Sequence, residues 1–134
     1  VGLTFELDIP LHRGKPPLTA NQRLHWAEKG RRTRDVRAAV AWRAKAAKVP
    51  KALHVTAQLH YHAADHKRRD ASNLYATSKP AIDALVDADV IPDDDGRYVT
   101  EVNPIIHPAV PNQPRRLWLQ IEVTPCPKTT PAAG

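Results

Sequence analysis

The chain has 134 residues, with one Phe, three Trp and three Tyr, a length that suits one domain with one core. No apolar run approaches the ~20 residues of a membrane span, and the single cysteine, Cys126, excludes an internal disulfide and a sulfur-rich zinc site. The formal net charge of +6 hides a polarity: residues 12–69 carry 15 Lys and Arg against Glu28, Asp35 and Asp65, whereas residues 70–101 carry eight acids against Lys79 and Arg97.

A basic half points to a polyanionic partner; the competing explanation is a solvated surface that keeps the protein soluble. The N-terminus alternates like a strand and lacks a basic n-region, so no secretory signal is expected. With one cysteine and no span, a cytoplasmic protein is the expectation.

Residues 4–9 read as the first strand, with Leu3, Phe5, Leu7 and Ile9 on one face and Pro10 ending it. Residues 12–29 show no period and hold Pro16 and Pro17. Asn21, Gln22, Arg23, His25 and Trp26 in this loop are groups that contact phosphates and bases; equally, the loop is a packed one with Trp26 as its anchor. Thr33 is the expected N-cap of a helix reaching Lys48 and stopped by Pro50. Val36, Val40, Ala44 and Ala47 form its apolar stripe. Arg34, Arg37, Lys45 and Lys48 form a cationic ridge, either a phosphate contact or a solvated face.

Residues 54–62 predict the second strand, with Val55, Ala57, Leu59 and Tyr61 inward. His60 and His62 lie on its outer face, as two imidazoles for a metal or, more simply, as exposed polarity. Residues 63–75 form a loop. Ser78 is the expected N-cap of a second helix, with Pro80 in its first turn, running to Ala88 with Ala81, Ile82, Leu85 and Val86 buried. Residues 98–102 and 104–107 predict one interrupted strand and residues 116–123 the last, with Leu117, Leu119, Ile121 and Val123 inward. The expected architecture is a single compact α/β (α+β) domain over residues 1–123, with a mixed sheet and two helices. Residues 124–134 predict a disordered Pro-rich tail.

The chemistry concentrates in residues 67–95, KRRDASNLYATSKPAIDALVDADVIPDDD. Phosphodiester hydrolysis needs an activated water, neutralised phosphoryl charge and a stabilised leaving oxygen, which Mg²⁺ on hard oxygen ligands supplies. Asp70, Asp93 and Asp94 are candidate ligands, and Lys79 adds a positive charge on the connecting helix. The DDDG run also reads as an ordinary turn.

These residues carry a resemblance. The order RRD-x-x-N-L, Lys, IDAL, V-I-x-DD resembles the RusA family of Holliday-junction resolvases, particularly phage and prophage members, and PLTANQRLHW ahead of a basic helix is similar to actinobacteriophage relatives. The likeness covers residues 3–123. It implies a homodimeric, Mg²⁺-dependent endodeoxyribonuclease (Mn²⁺ as an alternative) that binds four-way DNA junctions and nicks two opposed strands. By motif position it assigns Asp70, Lys79 and Asp94 to catalysis, and Asp70, Asp93 and Asp94 to the metal. Asn73 matches the family's Asn, and Lys79 falls three residues later than the family's helix-start Lys. Ser72 stands where the family has a second carboxylate, so Ser72 and Asn73 shape the site. The expected DNA contacts are Arg23, Arg31, Arg32, Arg34, Arg37, Lys45, Lys67, Arg68 and Arg69. Because Ser72 removes one negative charge, the alternative expectation is a junction- or branched-DNA-binding protein that cuts weakly or not at all.

Overall fold

Alternation of apolar and polar side chains produces the first strand, β1 (Leu3–Asp8). In the computed structural model, which describes residues 2–127, it is followed by α1 (Trp26–Ala46), β2 (Ala52–His62), a four-residue 3₁₀ turn (Ala71–Leu74), α2 (Tyr75–Asp87), β3 (Val99–His107) and β4 (Arg116–Pro125). The strands form one sheet in the order β1-β4-β2-β3. β4 is antiparallel to both β1 and β2, while β3 is parallel to β2. β1, β2 and β3 therefore point the same way. Each helix carries the chain from the carboxyl end of one strand back to the amino end of the next. This is the expected α+β arrangement of a mixed sheet and two helices. No helix among the described residues is long and apolar enough to cross a membrane.

The core lies between the helices and one face of the sheet. Leu7, Val55, Ala57, Leu59, Leu117, Leu119, Ile121 and Val123 meet Val36, Val40 and Ala44 of α1 and Ala81, Ile82, Ala84 and Leu85 of α2. A bidentate pair, Arg37 to Asp87 at 2.7 and 2.9 Å, ties the middle of α1 to the end of α2.

Several boundaries differ from expectation. α1 begins at Trp26 and not after Thr33. The His25 ring accepts the Ala27 N–H through Nδ1 at 3.2 Å, and Glu28 in the first turn pairs with Arg31 and Arg32, a favourable charge at that end. Gly30 lies inside the helix and breaks the sequence pattern without breaking the structure. Thr33 is an interior residue whose hydroxyl donates back to the Lys29 carbonyl at 2.7 Å. The helix stops at Ala46, before the expected Lys48, which adopts a left-handed φ of 56° while Val49 N–H closes onto Ala44 O at 3.0 Å.

α2 likewise starts upstream, at Tyr75, so Ser78 is not its N-cap. The 3₁₀ turn, capped by Asp70, feeds directly into the helix. Thr77 and Ser78 are buried inside it, and Thr77 Oγ1 donates to the Leu18 carbonyl at 2.6 Å. Pro80 sits in the sixth helical position, where its missing N–H leaves the Ala76 carbonyl without its helical donor. β3 is the one interrupted strand expected: it runs from Val99 to His107, and the register shift between Gln58 and His60 absorbs the irregularity at Asn103 and Pro104. β4 continues through Thr124 and Pro125, two residues past the expected domain end, and Cys126 N–H bonds Lys51 O at 2.8 Å. The remainder of the predicted tail, residues 128–134, lies outside the described residues.

Candidate nucleic-acid interface

Parallel strands open a crevice at their carboxyl ends, where the connections diverge. Here Tyr61 and Ile106, the residues before the last of β2 and β3, line a cleft of about 590 Å³. Its walls come from the loop after β1 (Lys15, Thr19, Asn21, Gln22), the loop after β2 (Asp65, Lys67, Arg68, Arg69, Asp70), the 3₁₀ turn (Asn73, Leu74) and Arg115 before β4. Five cations thus converge around one carboxylate, Asp70, that belongs to the candidate site.

Local hydrogen bonds build these walls. Asp65 accepts the Lys67 N–H at 3.0 Å and the Arg69 guanidinium at 2.7 Å, contacts that hold its carboxyl below the ordinary range. Arg69 also lies over the Tyr61 ring, 6.0 Å from its centroid. Asp70 accepts the Ser72 N–H at 3.0 Å. That N–H first, and the Ser72 side chain second, lower the Asp70 pKa. The loop after β1 is pinned above the turn by Ala20 N–H to Asn73 O at 3.0 Å and by Thr77 to Leu18 O. Lys15, Lys67 and Arg68 form no ion pair among the described residues, so their charge faces the cleft and solvent.

The other acids gather around Lys79, outside the cleft. Its ammonium pairs with Asp94 and, at 3.0 Å, with Asp83. Asp94 is lowered chiefly by Lys79, and Lys79 is raised chiefly by Asp94. Asp94 N–H donates to Asp93 Oδ1 at 2.7 Å. Asp95 instead pairs with Arg97, which pulls its carboxyl down to about 2. Glu101 on β3 is shifted the opposite way: desolvation raises it, with Ser78 and Lys79 opposing.

Asp70 and the Asp93–Asp94 pair therefore engage separate partners. Among the described residues, no group of three or more His, Cys, Asp or Glu side chains is arranged to hold a metal ion. In chemical kind the donors suit a hard divalent cation: all are oxygens, and Asp70 and Asp94 are both biased toward the ionised form.

The expected DNA contacts divide by position. Lys67, Arg68 and Arg69 line the cleft. Arg23 and Arg34 are exposed. Arg31 and Arg32 pair with Glu28, and Arg32 also donates to Pro17 O at 3.1 Å. Arg37 is held by Asp87, and Lys45 lies in the last turn of α1. Trp26 is no packed anchor; it is 80% exposed. Sequence reasoning missed Lys15 and Arg115, which reach the cleft from distant loops and carry no motif.

It also missed a cluster on the sheet's other face. His60, 7% exposed, stacks with His107 and Trp118 at centroid distances of 5.1 and 5.0 Å. His60 Nδ1 lies 2.8 Å from His107 Nε2, and Arg116 covers the Trp118 ring at 4.3 Å. His60 is thus packed among rings and is not exposed strand polarity. The alternation gave its face, while its neighbours come from β3 and β4.

Compared with known proteins, the chain matches no protein-family model and no curated protein sequence.

Proposed function

We propose that this chain is a DNA-binding endonuclease of the RusA-like type, acting as a homodimer on four-way or otherwise branched DNA with Mg²⁺ or Mn²⁺. The observation that carries the reading is the cationic cleft at the carboxyl ends of β2 and β3, with Asp70 in its wall. Lys15, Lys67 and Arg68 offer unpaired charge to successive phosphates, and Asn21, Gln22 and Asn73 add neutral hydrogen-bonding groups. Arg69 contributes shape more than free charge, because Asp65 holds it. Asp70, in the cleft wall, would be one ligand of the divalent cation, which when bound supplies Lewis-acid charge and an activated water; Asp93 and Asp94 would join it only by leaving the Lys79 cluster outside the cleft. Lys79 fixes the Asp94 carboxylate and balances the acidic turn. Two opposed nicks suit a two-fold pair of clefts.

A second reading is favoured by Ser72. Its side chain offers Asp70 a neutral hydrogen-bonding group where the RusA pattern has a carboxylate, and Lys79 already pairs with Asp94. On that reading the protein binds branched DNA and cuts poorly. One assay separates the two: a labelled synthetic four-way junction with Mg²⁺ or Mn²⁺, comparing the native chain, Asp70→Asn and Ser72→Asp. Paired nicking by the native chain, abolished in Asp70→Asn, supports the nuclease. Tight binding without nicking, with cleavage appearing only in Ser72→Asp, supports the second reading. Absence of binding to any DNA overturns both.

A further inference from the structure

Trp26 is an unusual residue to leave in water, and its surroundings suggest what it meets. It is the first residue of α1 and 80% exposed. Trp42 is also exposed, but its own neighbour Arg43 lies over its ring at 5.3 Å. Among the described residues the Trp26 ring meets only the adjacent His25 ring, tilted 34° at a centroid distance of 5.4 Å. That imidazole is fixed in place, since Nδ1 accepts the Ala27 N–H.

The position follows from topology. α1 and α2 both run from the carboxyl end of the sheet toward its amino end. Arg37 and Asp87 mark one level where they touch. Trp26 lies eleven residues before Arg37, and Ala76 eleven before Asp87. At 1.5 Å per residue, both sit about 16 Å above that bridge. Trp26 therefore stands near the level of the start of α2, at the end of the sheet where the cleft opens. The chain path agrees: Gln22 lines the cleft, and four residues from Gln22 to Trp26 span at most ~14 Å.

We propose that Trp26, oriented beside His25, is a stacking platform for an unpaired base of the DNA whose phosphates occupy the cationic cleft. The proposal rests on the DNA-binding reading above and extends it to a preference for unpaired nucleotides. An exposed indole within ~14 Å of the cleft residue Gln22 can stack on a base that is not already stacked in a duplex, while the cleft's cations hold the backbone. A fully paired helix offers it no open π-face. Trp42, one turn from the far end of α1, lies too distant to share this role and serves as the control.

The test measures binding of two fluorescein-labelled DNAs by anisotropy, without divalent metal: a fully paired duplex, and the same duplex with a short oligo(dT) gap. Tryptophan emission is followed in parallel. The native chain is expected to prefer the gapped DNA, with emission quenched on binding. Trp26→Ala is expected to weaken gapped-DNA binding about ten-fold, to leave duplex binding within about two-fold and to lose most of the quenching. Trp26→Phe should restore much of the gapped-DNA affinity, and Trp42→Ala should change neither. If both DNAs bind the native chain and Trp26→Ala weakens them equally or not at all, the stacking role is overturned and the cleft reading survives. If neither DNA binds, both fall.

Discussion

Asp70 and Ser72 set the local charge of the cleft wall. The backbone N–H of residue 72 stabilises the Asp70 carboxylate whatever the side chain; the Ser72 hydroxyl adds to it, where a second carboxylate would instead add a divalent-cation ligand. Ser72→Asp is therefore expected to raise Mg²⁺ or Mn²⁺ affinity at neutral pH, and Asp70→Asn to lower it, as measured by titration calorimetry without DNA. Equal metal affinity in Ser72→Asp and the native chain would show that position 72 does not reach the ion. Residue-scale legibility was uneven for a physical reason. Asp70, Lys79 and the Asp93–Asp94 pair stand out because they are spaced along one continuous segment. His60 does not, because its burial depends on His107 and Trp118, distant in sequence and joined only by the strand pairing. Its burial has a consequence in acid. Desolvation first, and His107 second, pull His60 below the ordinary imidazole value of 6.5; Glu6 opposes them and Arg116 adds to them. A ring that resists protonation when folded accepts the proton more readily when unfolded. Its stabilising contribution is thus complete above 6.5 and declines as pH falls below it. The urea midpoint should drop between about pH 7.5 and 5.5, and less in His60→Phe, which keeps a flat ring but cannot titrate. Parallel pH profiles for the two proteins would remove His60 from the account.

Elements were readable where one face is buried, and their ends were not. The stripes Val36, Val40, Ala44 and Ala81, Ile82, Leu85 identify both helices because burial follows the helical period. The starts were missed because the actual caps are unusual ones: a His25 ring nitrogen for α1 and a 3₁₀ turn leading into α2. Thr33 and Ser78 looked like caps only because their hydroxyls, in sequence, are indistinguishable from capping ones. Gly30 concealed the first turns of α1 most of all. In the helix its missing Cβ would meet nothing closer than an Arg34 terminal nitrogen at 3.4 Å, the movable end of a side chain. Gly30→Ala should therefore stabilise the fold by about 0.5–1 kcal/mol, seen as a rise of about 2–4 °C in melting temperature. A fall would mean that α1 does not run through residue 30 in solution. The Arg37–Asp87 pair, with side chains 43% and 38% exposed, is expected to matter less: Arg37→Ala should cost under about 1 kcal/mol in the same melt.

At the scale of the whole molecule, the charge polarity seen along the chain becomes a polarity in space. The loops after β1 and β2 bring Lys15, Lys67 and Arg68 to one cleft, while Asp83, Asp87, Asp94 and Asp95 pair with Lys79, Arg37 and Arg97 away from its lining. A polyanion entering the cleft meets five cations in its lining against Asp65 and Asp70. If phosphates displace counterions there, affinity for DNA must fall with salt, and the slope counts the contacts: log K against log salt changes by about −0.9 per phosphate neutralised. Replacing Lys15, Lys67 and Arg68 together with Ala should flatten that slope by about 3 on duplex DNA and weaken all sequences alike. Lys45 provides the comparison, because it sits nineteen residues, or about 28 Å, along α1 from Trp26. Lys45→Ala is expected to leave the slope within about 0.5 of the native value if the cleft is the principal track. A slope untouched by the triple substitution, but flattened by substitutions along Arg34, Arg37 and Lys45, would move the DNA from the carboxyl ends of the strands onto the outer face of α1, and with it the place where Asp70 could act.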